Sequence, residues 1–401
     1  MRPRRALAVL LALVALLALA GGGCGSEPQR LDSPHLGRAG NEPDAPQQLG
    51  FPTFATKNTT RVGGADPVAD AAAVARAVFP GGGGVGGAGS GPRAVVLADQ
   101  RQWQAALAAA VLMSEPLRAP LLLSDGGQLP AASAEALAQL APTGARELGG
   151  TQVVRVGGAP APGGYRSTTL TGEDASALAA AIDRLQAAAV GRASRAVLVV
   201  SDEDPAFAMP AAGWAAKTGN PILFVHRSTI PGPTFAALQA HHRPRIYLLA
   251  PPRVVGPGVE RALRSLGPVT RISAPDPVRS AIAFARLRDG LDGWGVVDPG
   301  HGLVFANASR TLDAAAAAPL SASGTYGPLI LVSNADRLDA PVDEYLQDIQ
   351  PGYNRDPVRG VYNHGWIVGD DKSISVGVQA QIDSLLEITR ENRRRPTGSQ
   401  S

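Results

Sequence analysis

The chain has 401 residues, 45% of them hydrophobic, with 47 glycines, 34 prolines and one cysteine. That single thiol excludes a disulfide scaffold and any multi-cysteine zinc or iron–sulfur centre, and an aromatic content of 4% leaves few platforms for stacking bases or sugars. The formal charge of +3 belongs to the first 23 residues, which hold Arg2, Arg4 and Arg5 and no acid; without them bases and acids balance, so no basic field exists to hold a nucleic acid.

Met1–Arg5 is a basic leader and Ala6–Ala20 an uninterrupted apolar run. As a helix that run spans only ~22 Å, short of a ~30 Å hydrocarbon core, so residues 1–23 read as a signal peptide rather than a membrane span. Gly21-Gly22-Gly23 then precede Cys24, an arrangement similar to a bacterial lipobox, in which the thiol is acylated and becomes the mature N-terminus. The competing reading is cleavage after Ala18-Leu19-Ala20, which releases a soluble chain with a free thiol. Residues 24–58 are polar and proline-containing and read as a disordered tether.

Beyond the tether the chain repeats itself. Three segments open alike, at Thr60 (TRVGGADPVADAAAVARA), Thr168 (TTLTGEDASALAAAIDRL) and Thr270 (TRISAPDPVRSAIAFARL), and their Asp66, Asp174 and Asp276 fall 108 and 102 residues apart. A second block recurs at Arg93 (RAVVLAD), Arg195 (RAVLVVSD) and His301 (HGLVFANAS). A third contains Pro120, Pro221 and Pro328, which lie 27, 26 and 27 residues after the start of the second.

Each unit carries the same predicted elements. A short apolar run (Val95–Leu97, Val197–Val200, Leu303–Phe305) precedes an alanine-rich helix such as Trp103–Met113, then a second unalternating run (Leu121–Leu123, Ile222–Val225, Leu329–Val332). Continuous runs suit strands buried on both faces. Pro130, Pro231 and Pro341 mark further helices from about Ala131, Gly232 and Val342, because proline is tolerated in a first helical turn. The units close on Val153–Val156, Ile246–Leu249 and Trp366–Val368. Strand and helix in alternation predict parallel sheets covered by helices, an α/β fold.

On these residues the chain resembles the cell-wall-binding repeat type 2 family. The likeness is carried by Arg61-Val62-Gly63-Gly64-Ala65-Asp66, the block from Arg93, Trp103–Ala109 and Ala119-Pro120-Leu121-Leu122-Leu123, and it extends over about residues 59–389. The resemblance implies three tandem Toprim- or Rossmann-like modules (59–166, 167–268 and 269–389) in a pseudo-threefold arrangement, followed by a basic tail at 390–401. It also implies noncovalent attachment to an anionic cell-wall polymer; together with the leader and the lipobox-like cysteine, this predicts a protein exported to the outer face of the cytoplasmic membrane and held there by the lipid on Cys24.

Candidate polymer contacts follow from charge and aromaticity. Arg61 and Arg271 stand at equivalent points of units one and three and offer guanidinium forks to phosphate or carboxylate; internal pairing with a nearby acid or a contact between modules is the alternative. An insertion in unit three, Pro351–Trp366, gathers Tyr353, Arg355, Arg359, Tyr362 and Trp366 and reads as a polymer contact or as a loop plugging a gap between modules.

Nothing in the sequence suggests catalysis or a cofactor. The glycine-rich stretch Gly81–Gly91 lacks the Gly-Lys-Ser/Thr ending of a phosphate loop, and no nucleophile elbow occurs. Asp202-Glu203-Asp204 has a spacing able to bind a hard cation, but its counterparts Asp99-Gln100-Arg101 and Asn307-Ala308-Ser309 do not, so these read as solvated loop acids and no metal is expected. His241, His242 and His364 read as surface or loop residues. The sequence thus describes a noncatalytic, lipid-anchored wall-binding protein; the alternative, a solute-binding lipoprotein of a transport system, would have two lobes about one cleft.

Overall fold

The structure is a computed structural model that describes residues 53–80, 91–290, 292–324 and 326–390. The signal segment, Cys24, most of the tether, all but Gly91 of the glycine-rich stretch and nearly all of the basic tail lie outside the described residues. The fold is α/β, as the alternation of runs predicts, with three largely parallel sheets.

The first elements are β1 (Thr53–Ala55), β2 (Thr59–Val62) and α1 (Pro67–Val78). Sheet one contains β3 (Val95–Asp99), β4 (Leu121–Ser124), β5 (Val153–Val156) and β6 (Ser167–Leu170), in the order β4-β3-β5-β6 and all parallel. Sheet two contains β7 (Ala196–Ser201), β8 (Ile222–Val225), β9 (Arg245–Leu249) and β10 (Val269–Ile272), in the order β10-β9-β7-β8 and again parallel. β11 (Gly302–Asn307), β12 (Leu329–Val332) and β14 (His364–Val368) belong to sheet three; β13 (Gly352–Tyr353) and β15 (Thr389–Arg390) form a separate small pair.

Sheet three has the order β1-β2-β14-β11-β12. Its second strand is the opening strand of the whole repeat array, paired in parallel with β14 from Gly365↔Thr59 to Val368↔Val62. The same offset recurs: β6, which opens unit two, completes sheet one, and β10, which opens unit three, completes sheet two. The sequence repeats and the folded sheets are therefore out of phase by one strand. β1, expected within the tether, pairs antiparallel with β2 and forms the edge of sheet three.

Each opening helix carries the chain from one sheet to the next. α1 packs on β4 and on α3 (Ala131–Leu140); α4 (Ala175–Val190) packs on β8 and on α6 (Gly232–Ala240); α8 (Pro277–Arg286) packs on β12 and on α10 (Ala340–Asp348). Their starts have one cause: Asp66, Asp174 and Asp276 are N-caps whose carboxylates accept from Ala69 N (2.9 Å), Ala177 N (2.7 Å) and Arg279 N (2.8 Å). The aspartates that register the repeat in sequence are helix starts.

The helix after the first strand of each sheet lies at the interior. α2 (Trp103–Ala109) with its 3-10 extension to Met113, α5 (Ala211–Thr218) and α9 (Thr311–Ala322) pack against one another, and nearly every alanine they contain is buried. Small side chains bring the backbones close: a Cβ on Gly213 would sit 2.5 Å from Ser321 Oγ. The strands beside them are buried along their whole length in β3, β4, β7, β8, β11 and β12, which is why their sequences do not alternate.

Two helices have no counterpart in the predicted elements. α7 (Pro257–Leu266) joins β9 to β10, and α11 (Val376–Leu386) follows β14. In sheet one the equivalent connection, residues 157–166, contains no helix.

Candidate functional site

The two arginines at equivalent repeat positions are committed inside the fold. Arg61, on β2, donates from Nε to Gln379 Oε1 (2.9 Å), from Nη1 to the carbonyls of Gly369 (2.9 Å) and Asp370 (2.7 Å), and from Nη2 to that of Ile374 (2.6 Å). Burial holds its guanidinium below the ordinary arginine range. Arg271, on β10, donates to Glu260 Oε2 (2.7 Å) and to the carbonyls of Ala250 (2.5 Å) and Val255 (3.0 Å), with a side chain 12% exposed. In both cases the opening strand of one repeat unit holds the loop that leaves the strand beside it in the sheet of another.

Unit two has Thr169 where the others have arginine. Its register partner on β5 is Arg155, which donates to Thr169 Oγ1 and to the Ala159 carbonyl (3.3 Å). The guanidinium has moved one strand across and grips the equivalent loop. Recurrence of the same internal contact at all three sheets, even where the sequence position changes, assigns these arginines to loop fixation and corrects the expectation that Arg61 and Arg271 are free for a polymer.

The Pro351–Trp366 insertion divides differently. Tyr353 is half-buried on β13 and Trp366 half-buried on β14, its ring edge-on to His364 at 4.9 Å between centroids. Arg355 is exposed, Arg359 closes the 3-10 turn Pro357–Arg359, and Tyr362 is 51% exposed with its hydroxyl bonded to the Pro357 carbonyl (2.8 Å). Val358 is 81% exposed beside them. Asn363 pins the base of the loop: its Oδ1 accepts from Gly300 N (2.8 Å) and His301 N (3.1 Å), and its Nδ2 donates to the Ile349 carbonyl (2.8 Å). The result is a loop that exposes Arg355, Asp356, Val358 and Tyr362 on a fixed base.

A crevice of about 420 Å³ opens at the carboxyl edge of sheet one, lined among others by Arg101, Gln102, Gln104, Gly157, Gly158 and Glu173. Its position follows from topology. The chain crosses from β3 to β4 on one side and returns to β5 on the other, and the loops beyond those strands part there. Gly157, with φ of +67°, turns the backbone where a side chain would strike Gln102. Arg101 donates to both oxygens of Asp99 (3.2 and 3.3 Å). Burial pushes the Asp99 carboxyl up, but the bonds from Arg101 and Gly126 outweigh it and hold the group below the usual carboxylate range. The wall therefore presents the amides of Gln102 and Gln104 and the Asp99-bound guanidinium of Arg101 opposite the carboxylates of Glu173 and Asp174.

His241, expected at the surface or in a loop, lies at the turn that ends α6 and is buried there: Nδ1 lies 2.8 Å from the Ser194 carbonyl and Nε2 2.8 Å from Asp183 Oδ2. Desolvation by burial pulls the imidazole pKa down, but the bond and charge of Asp183 and the Ser194 carbonyl together outweigh it and raise the group above its ordinary value. No helix among the described residues is long and apolar enough to cross a membrane.

No family model matches the sequence, and no curated protein does. The fold does have solved relatives in shape. Cwp8 from Clostridium difficile superposes with a TM-score of 0.64 at 16% identity, over 82% of this chain and 52% of that one. Cwp6 from Clostridium difficile gives 0.65 at 15%, over 82% of this chain and 48% of that one. The chain thus spans about half the length of each, and what it shares with them is the fold.

Proposed function

We propose that this chain is a noncatalytic surface protein that binds an anionic cell-wall polymer through three Toprim- or Rossmann-like modules, tethered to the membrane by a lipid on Cys24. The observation that carries the reading is the fold shared with the Clostridium difficile cell wall proteins Cwp8 and Cwp6 over 82% of the chain. The repeat resemblance in the sequence points the same way. The solute-binding alternative calls for two lobes about one cleft, whereas this chain builds three main sheets, each completed by the opening strand of another sequence unit, that of sheet three coming from unit one.

With Arg61 and Arg271 occupied, polymer contact falls to the loop carrying Arg355, Arg359 and Tyr362, with Tyr353 and Trp366 at its base. A zero net charge after the leader means that attraction comes from such local patches and is screened by salt over about 8 Å at physiological ionic strength. The test is co-sedimentation of the mature chain with purified cell walls at low and high salt. Pelleting at low salt that falls at high salt, and falls further with Arg355→Ala and Tyr362→Ala together, is expected. A chain that stays in solution at low salt, or pellets regardless of salt, overturns the reading.

A further inference from the structure

At the carboxyl end of sheet two, Asp202 follows β7 and His226 follows β8. The Asp202 N–H donates to the Val225 carbonyl (3.2 Å), extending the β7–β8 ladder one step past its strands, so the two side chains stand next to each other. Asp202 Oδ2 lies 2.6 Å from His226 Nδ1. Glu203 adds a third donor: one ligand atom from each of Asp202, Glu203 and His226 lies within 4.8 Å of the other two.

The backbone beneath this group is fixed on each side. The Glu203 and Asp204 N–H groups both donate to Ser201 Oγ (3.1 and 3.3 Å), and the His226 N–H donates to the Thr229 carbonyl (3.1 Å). Gln104, reaching across from α2, donates to the Asp202 carbonyl (3.3 Å). One atom is left without a partner. Asp202 Oδ1 is buried and accepts no hydrogen bond, a costly state for a carboxylate oxygen. Burial pushes the Asp202 carboxyl up, against the pull of the adjacent imidazole. The Asp202 side chain is 14% exposed and that of His226 46%, so the group is reachable from solvent.

We propose that Asp202, Glu203 and His226 form a binding site for one divalent transition-metal cation of the zinc type. An imidazole nitrogen with two carboxylates is the nitrogen–oxygen donor set such ions take, whereas magnesium and calcium favour oxygen alone. Two carboxylates balance a double positive charge, and a cation held at the carboxylate that faces His226 offsets the cost of keeping Asp202 charged with its Oδ1 undonated. Glu203, exposed and on a long side chain, swings in to complete three protein ligands, leaving a further position to water. The ladder-equivalent pairs in the other sheets are Gln100 with Asp125 and Ala308 with Ser333, so the stoichiometry is one ion per chain.

The experiment is calorimetric titration of the chelator-treated mature chain with zinc chloride alone, paired with the visible spectrum of the cobalt-loaded chain. One ion per chain is expected, with binding at least about tenfold weaker in Asp202→Asn and in His226→Ala, and loss of the cobalt d–d bands in both. His301→Ala, at the separate His301–Asp298 pair, leaves both signals intact. Far-UV circular dichroism of the metal-free variants verifies that they fold, and Glu203→Gln, at an exposed side chain, supplies a second variant expected to weaken binding. Absence of binding by the unaltered chain, or equal affinity in His226→Ala, overturns the proposal. Neither result bears on the wall co-sedimentation, which does not use these residues.

Discussion

Asp70 and Asp313 are both fully buried and share one guanidinium: Arg310 donates from Nη2 to Asp70 Oδ2 (2.7 Å) and from Nε to Asp313 Oδ2 (2.6 Å). Two carboxylates facing one cation cannot both ionise cheaply out of water. Burial first, and the neighbouring Asp313 second, push Asp70 up to about 8, and burial likewise raises Asp313. Asp313 Oδ1 is buried without a donor, which adds to the cost of keeping both acids charged. In the unfolded chain Asp70 returns to its ordinary value of 3.8, so above that pH the native state holds the extra proton. Stability from this group is therefore complete below about pH 4 and is lost as the pH rises toward about 8. Urea midpoints measured across that range should fall with pH in the unaltered chain and fall less in Asp70→Asn; parallel curves would show that the acid is ionised in the folded state. Asp66, four residues earlier, does a different task as an N-cap, and spacing alone could not separate the two roles.

At the scale of elements, alanine does what leucine does in most cores. α2, α5 and α9 meet along surfaces of Ala105–Ala110, Ala211–Ala216 and Ala314–Ala318, where backbones approach too closely for larger side chains. Gly213 is the tightest of these points, facing Ser321 across the α5–α9 contact. Gly213→Val should overpack it and cost about 1–3 kcal/mol, read from denaturant unfolding; an unchanged midpoint would mean that the helices can separate without loss. The arginine–loop contacts belong to this scale too. β2, β6 and β10 are short, and each is secured beside its neighbour by a guanidinium that satisfies loop carbonyls, from Arg61, Arg155 and Arg271. For Arg61 and Arg271 these contacts join the opening strand of one unit to a loop of another, so the recurring arginine looked in sequence like a free ligand group.

For the whole molecule the decisive feature is the closing strand. β2 lies between β1 and β14, so the beginning of the repeat region completes a sheet made by its end. Deleting residues 53–62 leaves β14 with an open edge and removes Arg61 from its four bonds, three of them to carbonyls of the loop after β14. The shortened chain should melt earlier than the full one and lose amide protection first in β14 and α11, as hydrogen exchange would show. Protection unchanged in those elements would mean that sheet three holds without its borrowed strands.

The three apolar strands of each unit, the prolines that open α3, α6 and α10, and the periodic aspartates were legible in the chain because each expresses a local rule: continuous burial, a fixed φ, a side-chain cap; the partly buried opening strands β2, β6 and β10 were not. α7 and α11 were not predicted because the first unit has no helix at that connection, although Val259 and Leu263 of α7 stand at amphipathic spacing and could have marked it. The surface loop at Arg355 and Tyr362 was visible as a cluster of unusual composition, whereas the crevice at Arg101 and the Asp202–His226 pair were not, being assembled by strands that meet 24 or more residues apart. Local chemistry in the sequence thus determined which segments are strands and helices and how often the pattern recurs. Only tertiary structure decided which strand completes which sheet, because in-register parallel pairing depends on which neighbours are near once the helices have turned the chain, and a sequence repeat reads the same whether its first strand stays at home or crosses to the sheet beside it.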